Sequence, residues 1–185
     1  MFELVEPLPI LKNPHIIAVL RPWTDAGNAG TLTISYLESF LSAKQLGKIS
    51  RPGTFFDFTR YRPMARYNLG NREIIVPNTI VTYAKQEQGQ DFVFLNMLEP
   101  NLFAEQYIKS VLQLLQLLGV QRYCLLGSMY DMVPHTRPLL VTGGAVGKNA
   151  SEDLQKTGIT SSAYEGPTTI CYLISQDAAK LGIET

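Results

Sequence analysis

The chain has 185 residues, 45% of them hydrophobic and 17% charged, and its 16 basic and 16 acidic side chains cancel. That length supports one sizeable core and leaves little for a second domain. The balanced charge gives no overall field to draw in nucleic acid or anionic lipid, and no apolar run reaches the length of a membrane span. Acids and prolines precede the first lysine, which excludes a signal peptide and points to the cytoplasm. Cys124 and Cys171 sit apart in apolar surroundings and read as reduced buried thiols, with a Cys124–Cys171 disulfide as the alternative.

In chain order, residues 1–14 carry three prolines and read as an irregular lead-in. Ile16 to Leu20 is a continuous apolar run suited to a strand buried on both faces, stopped by Arg21-Pro22. Trp23 to Gly30 forms a tight strand-to-helix turn, with Asn28 or Asp25 as N-cap. Ala29, Leu32, Tyr36, Leu37, Phe40 and Leu41 mark the apolar stripe of the helix that follows, and Gly47 is its expected stop. Phe55 to Phe58, Glu73 to Val76 and Thr79 to Lys85 read as strands. Between them Arg60, Arg62, Arg66 and Arg72 lie with Tyr61 and Tyr67 in a basic surface loop.

Asp91 to Leu98 is another buried strand, and Glu99-Pro100-Asn101 opens a helix to about Gly119. Its stripe is Ala104, Ile108, Val111, Leu115 and Leu118, widened by Leu114 and Leu117. Arg122 to Leu126 is the next strand. Leu139 to Thr142 is a further strand candidate, Gly143 to Gly147 a turn and Ser151 to Thr157 a short helix. Gly166-Pro167 opens a last helix with Ile170, Leu173, Ile174, Ala178 and Leu181 on one face and Gly182 as its stop. Strands alternating with crossover-length helices predict an α/β layered fold on a largely parallel mixed sheet, with an antiparallel excursion at residues 53–86. Nothing resembles a linker, so residues 1–185 form a single α/β domain. A further strand is expected after the last helix, as if a C-terminal extension were trimmed.

No catalytic motif is complete. Thr142 to Asn149 fails the phosphate-loop pattern at both of those ends. Gly127-Ser128-Met129 lacks the flanking glycines of a nucleophile elbow, which weighs against Ser128 with His135 as base and Asp131 or Asp57 as orienter. His15 and His135 make no close pair and no C-x-x-C occurs, so no metal site and no cofactor are implied. Asp57 and Glu99 could do acid–base work, but hydrogen bonding and the helix start after Glu99 explain them more simply.

Five segments nevertheless form a recognisable set: Asp25-Ala26-Gly27, Asp57 with Arg62-Pro63, Glu99-Pro100, the Val-Pro-His-Thr-Arg-Pro run at 133–138, and Tyr164-Glu165-Gly166-Pro167. Over about residues 14–184 their order and spacing resemble the proteasome assembly chaperone 2 family, including its archaeal and bacterial members. Met97 stands where that family often has glycine. The chain ends Gly182-Ile183-Glu184-Thr185, without the hydrophobic-Tyr-any tail that ring-docking members use. The resemblance implies a three-layer α/β/α sandwich similar to the purine nucleoside phosphorylase-like fold, with self-association. Eukaryotic members help assemble proteasome α-rings without known catalysis.

Two functions compete. The favoured one is a non-catalytic, chaperone-like homo-oligomer working by protein contacts, with proteasome-like subunits as the candidate partner and the missing tail as the objection. The alternative is an enzyme or small-molecule binder for an anionic or nucleoside-like ligand at the strand ends. Its candidate residues are Asp25, Gly27, Asn28, Asp57, Arg62, Glu99, His135, Thr136 and Arg137. The glycine turn and an arginine would hold the anion, and His135 would serve as acid or base.

Overall fold

Side chains of the run His15–Arg21 (β2) alternate between two apolar layers, and that alternation sets the architecture. Ile16, Ala18 and Leu20 join Val93, Leu95 and Met97 on one face; Ile17 and Val19 join Phe92 and Phe94 on the other. The computed structural model describes residues 1–162 and 164–185. Its strands are Phe2–Leu4 (β1), β2, Lys44–Ile49 (β3), Met64–Asn68 (β4), Asn71–Ile75 (β5), Ile80–Ala84 (β6), Phe92–Leu98 (β7) and Arg122–Leu126 (β8). Its helices are Ala29–Phe40 (α1), Ala104–Leu117 (α2), Lys148–Thr157 (α3) and Ile170–Lys180 (α4).

Six strands form one sheet in the order β1-β3-β6-β7-β2-β8. β2 pairs parallel with β7 and β8, whereas β1–β3, β3–β6 and β6–β7 pair antiparallel. These pairings give β2, β3, β7 and β8 one direction and β1 and β6 the other. The expected largely parallel mixed sheet therefore holds for strand direction. Among its pairings the parallel ones are confined to β7–β2–β8, because β6 is inserted between β3 and β7. β6 and β7 are joined by a short connection, which permits only antiparallel neighbours.

α1 covers the face of Val19 and Phe94, with Ile34 fully buried and Leu37 and Leu41 packed beside it. α2 and α4 cover the opposite face through Tyr107, Val111, Leu115, Cys171, Ile174 and Ala178. The result is helix, sheet, helix in three layers. Among the described residues no helix is long and apolar enough to cross a membrane. Both cysteines are free thiols.

Several elements differ from expectation for local reasons. The proline-bearing lead-in contains β1, which pairs with β3 at the sheet edge. The first helix stops at Phe40, and Gly47 lies inside β3 rather than capping a helix. A Cβ on Gly47 would come within 2.4 Å of the Glu3 carbonyl oxygen, so this glycine is where β1 closes over β3. The stripe expected on α1 is half wrong. Close contact of Gly30 with Val19 turns Gly30 and Ile34 inward, and Leu32, Tyr36 and Phe40 face outward, each more than 60% exposed. Phe55 to Phe58 is no strand. A 3-10 turn at Pro52–Thr54 leads into it, and Asn101 holds the segment by accepting from Asp57 N at 3.0 Å and donating its own N–H to the Phe55 carbonyl.

Arg66 and Arg72 of the basic loop lie on a β4–β5 hairpin, with Arg60 and Arg62 ahead of it, and Glu73 to Ile75 pairs within that hairpin rather than with β6. Leu139 to Thr142 forms no strand; Thr142 makes a lone bridge to Thr160. The last helix starts at Ile170, where Thr169 Oγ1 accepts from Cys171 N, and ends at Lys180, with Gly182 at φ +79° just past its cap residue Leu181. After it, Glu184 bridges in parallel to Arg122 on the free side of β8.

That final bridge is braced by charge. Arg122 donates to Glu184 Oε2 from Nε and Nη2 and to Asp153 Oδ2 from Nη1, while Lys156 reaches Asp153 Oδ1 at 2.8 Å. Hydrogen bonds from Lys156 and then Arg122 pull the Asp153 carboxyl down to about 2, and Arg122 lowers Glu184 likewise. Both folded values lie below the unfolded carboxylate range near about 4. The stability they contribute is present above that range and is lost as pH falls from about 4 toward the folded values. Melting temperature should fall with pH in that window, and less steeply for Arg122→Met. An unchanged slope in the variant would remove this network from the acid response.

Candidate functional site

β2 and β7 are adjacent and parallel, but the chain leaves them in opposite directions: into α1 on one face after β2, and into α2 on the other after β7. Their carboxyl ends therefore part and leave a crevice, the place where open α/β sheets bind ligands. A cleft of about 240 Å³ lies there, lined by Arg21, Pro22, Asp25, Asn28, Tyr61 and Leu98. The Glu99 amide donates to the Arg21 carbonyl at 2.9 Å, tying the two strand ends together.

The turn at the cleft is shaped by Asp25. Its Oδ1 accepts from Gly30 N at 2.8 Å and Thr31 N at 3.2 Å, and its Oδ2 accepts from Thr31 Oγ1 at 2.5 Å. Asp25 thus does the capping of α1, across a 3-10 turn at Ala26–Asn28 in which Gly27 has φ +62° and Asn28 φ +58°. The Asn28 side chain makes no capping bond. Ser128 docks this turn onto the end of β8: its Oγ donates to the Ala26 carbonyl at 2.9 Å. That bond explains Ser128 as a fastening group, and the Ser128–His135 pairing considered from sequence is not formed.

The remaining candidates divide. Glu99 stands at the end of β7, half-buried, with its carbonyl accepting from Tyr61 Oη at 3.0 Å. Burial raises the Glu99 carboxyl pKa; burial, then the Glu99 charge, raises the Tyr61 hydroxyl. Asp57 belongs to a neighbouring hollow of about 390 Å³ with Phe56, Phe58, Arg60 and Asn101. Its Oδ1 accepts from the Thr59 hydroxyl and amide, which lower its pKa. Arg62 is exposed and lines neither cavity. His135, Thr136 and Arg137 lie in an exposed segment whose local turn is closed by Arg137 N donating to Pro134 O; they line neither cavity either. Among the described residues no group of three or more His, Cys, Asp or Glu side chains is placed to hold a metal.

Sequence reasoning missed Arg21 and Tyr61. Arg21 was read only as a strand stop, although a charge at the carboxyl end of a buried strand falls on the crevice side by topology. Tyr61 was submerged in the basic loop. It reaches the cleft because Phe56, edge-on to it at 6.0 Å, is buried in the core.

A model of the PAC2 family matches residues 19–185. A proteasome-assembly chaperone homologue from Mycobacterium tuberculosis is similar at 25% identity and TM-score 0.77, over 91% of this chain and 71% of that one. A PAC2 family protein from Streptomyces avermitilis aligns at 24% identity and TM-score 0.78, over 92% and 72%. A Mycobacterium tuberculosis protein of unknown function aligns at 27% identity and TM-score 0.78, over the whole of this chain and 65% of its own length. No curated protein matches the chain.

Proposed function

The chain belongs to the PAC2 family, and on that premise we propose that it is a non-catalytic, chaperone-like protein that acts through protein contacts as a homo-oligomer. The observation that carries this reading is the β4–β5 hairpin. Every residue of both strands is exposed, yet the hairpin presents Met64, Tyr67, Ile74 and Ile75, with Leu69 at its tip. A two-stranded ribbon is marginal alone in water, and apolar side chains gathered on such a ribbon mark a contact surface. The outward face of α1, with Tyr36 and Phe40 stacked at 6.1 Å, adds a second apolar surface.

The partner class is proteasome subunits, supported by the Mycobacterium tuberculosis neighbour described as a proteasome-assembly chaperone homologue. Residues 1–185 act as a single domain in the cytoplasm. Tyr67 and Ile74 share one face of the hairpin, because Tyr67 pairs with Arg72 and Ala65 with Ile74. Replacing both with serine should leave the fold intact and weaken assembly roughly thirtyfold or more, since a central aromatic anchor such as Tyr67 carries about 2 kcal/mol. Light scattering across protein concentrations measures the self-association, and binding to purified proteasome subunits measures the partner. A strict monomer that binds no such subunit would overturn the reading.

A further inference from the structure

We propose that the cleft between the carboxyl ends of β2 and β7 binds a small carboxylate, gripped by Arg21. The Nε of Arg21 is buried and has no hydrogen-bond partner in the protein. That Nε is sealed from the cleft, but the terminal N–H groups of the same guanidinium also have no hydrogen-bond or ion-pair partner among the described residues, so an acceptor in the cleft would meet an uncommitted arginine. The guanidinium presents paired N–H groups in a planar fork, and a carboxylate matches that fork with two oxygens. Asp25, in the same wall, makes no ion pair with Arg21 among the described residues; its oxygens accept instead from Gly30 N, Thr31 N and Thr31 Oγ1.

The rest of the lining selects the body of the ligand. Pro22 and Leu98 are apolar, Tyr61 offers a ring whose hydroxyl is occupied by the Glu99 carbonyl, and Asn28 adds an amide at the rim. A cleft of about 240 Å³ takes a compact molecule, so the fitting class is a monocarboxylate with a short aliphatic or aromatic body. A bare phosphate would satisfy the arginine but leave the apolar wall unused. The site is independent of the hairpin and of the protein-contact reading.

Calorimetric titration of the full chain with benzoate, propionate and inorganic phosphate tests this, using wild type, Arg21→Met and Arg21→Lys. Benzoate is expected to bind the wild type better than phosphate does. Both variants should bind it roughly tenfold or more weakly, the lysine because it keeps the charge but loses the fork. Unliganded Arg21→Met should melt no lower than wild type, because it removes an unpaired donor. No benzoate binding at millimolar concentration, binding that survives both substitutions, or phosphate binding as well as benzoate would overturn the proposal. A melting temperature for Arg21→Met well below wild type would do so too, since it would show the guanidinium to be paired in the free protein.

Discussion

Truncating Phe55 to alanine is expected to lower the unfolding free energy by roughly 3–5 kcal/mol, the range for emptying a large aromatic from a packed core. Phe55 is 1% exposed and lies edge-on to Tyr107 at 5.4 Å, with Phe56 at 6.4 Å. Tyr107 is itself fully buried, its hydroxyl bonded to Thr79 at 2.7 Å, so it cannot move into the space left behind. The surroundings therefore relax little and the cavity persists. Phe55→Leu, which refills most of the volume, should cost under about half as much. Urea unfolding of the two variants measures both values, and a cost below about 1 kcal/mol for alanine would show that this cluster is not rigid.

The same substitution has a local consequence. The Phe55 carbonyl accepts from Asn101 N and Leu102 N, fixing the stem between β3 and the hairpin to the start of α2. Phe56 and Tyr61 continue that cluster into the cleft wall. Loosening the stem should free the hairpin before the domain unfolds, so cleavage at the hairpin arginines by trypsin should accelerate more than the change in global stability requires.

The sequence made the parallel heart of the fold legible because burial on both faces leaves a plain mark. Ile16 to Leu20 is a continuous apolar run and Asp91 to Leu98 a nearly continuous one, and each is followed by a helix of crossover length, the second stopped at Gly119. The edges were harder. β3 carries two lysines, a glutamine and a glycine over six residues, with only part of it buried, so neither alternation nor a continuous run announces it. β1 is three residues long and gains its meaning only by pairing with β3. On α1 the apolar stripe misled because the helix has two apolar faces. The inward one is set by the missing Cβ of Gly30, which contributes nothing to a hydropathy pattern.

The site followed the same logic. Asp25 and Asn28 were legible because a turn between a buried strand and a helix must lie at the strand's carboxyl end. The 133–138 segment stood out by its chemistry, yet its side chains lie exposed and outside both cavities, so two flanking prolines had stiffened a surface run. Arg21 and Tyr61 were obscured because their position at the cleft comes from long-range placement: one from strand order, the other from an aromatic contact to Phe56.

Asp25→Ala is expected to cost roughly 3 kcal/mol, more than an ordinary N-cap loss of about 1 kcal/mol, because the carboxylate is buried and accepts three hydrogen bonds. Alanine leaves the amide of Gly30 without its acceptor, and Gly30 is itself buried against Val19, where water has little room to replace it. Asp25→Asn keeps one carbonyl oxygen for the two amides but sets an NH2 group against the Thr31 hydroxyl. It should cost about half as much, since that hydroxyl can rotate to accept. The backbone of the turn stays fastened through Ala26 N to Ser128 O and Ser128 Oγ to Ala26 O, so the damage should centre on α1. Hydrogen exchange at Gly30 and Thr31 should accelerate strongly in Asp25→Ala while β2 and β7 amides change only by the global amount. Equal acceleration throughout would show that Asp25 supports the whole sheet rather than this helix start. A cost near that of an exposed cap would show that solvent reaches Gly30, and that the cleft beside it is wetter than its lining implies.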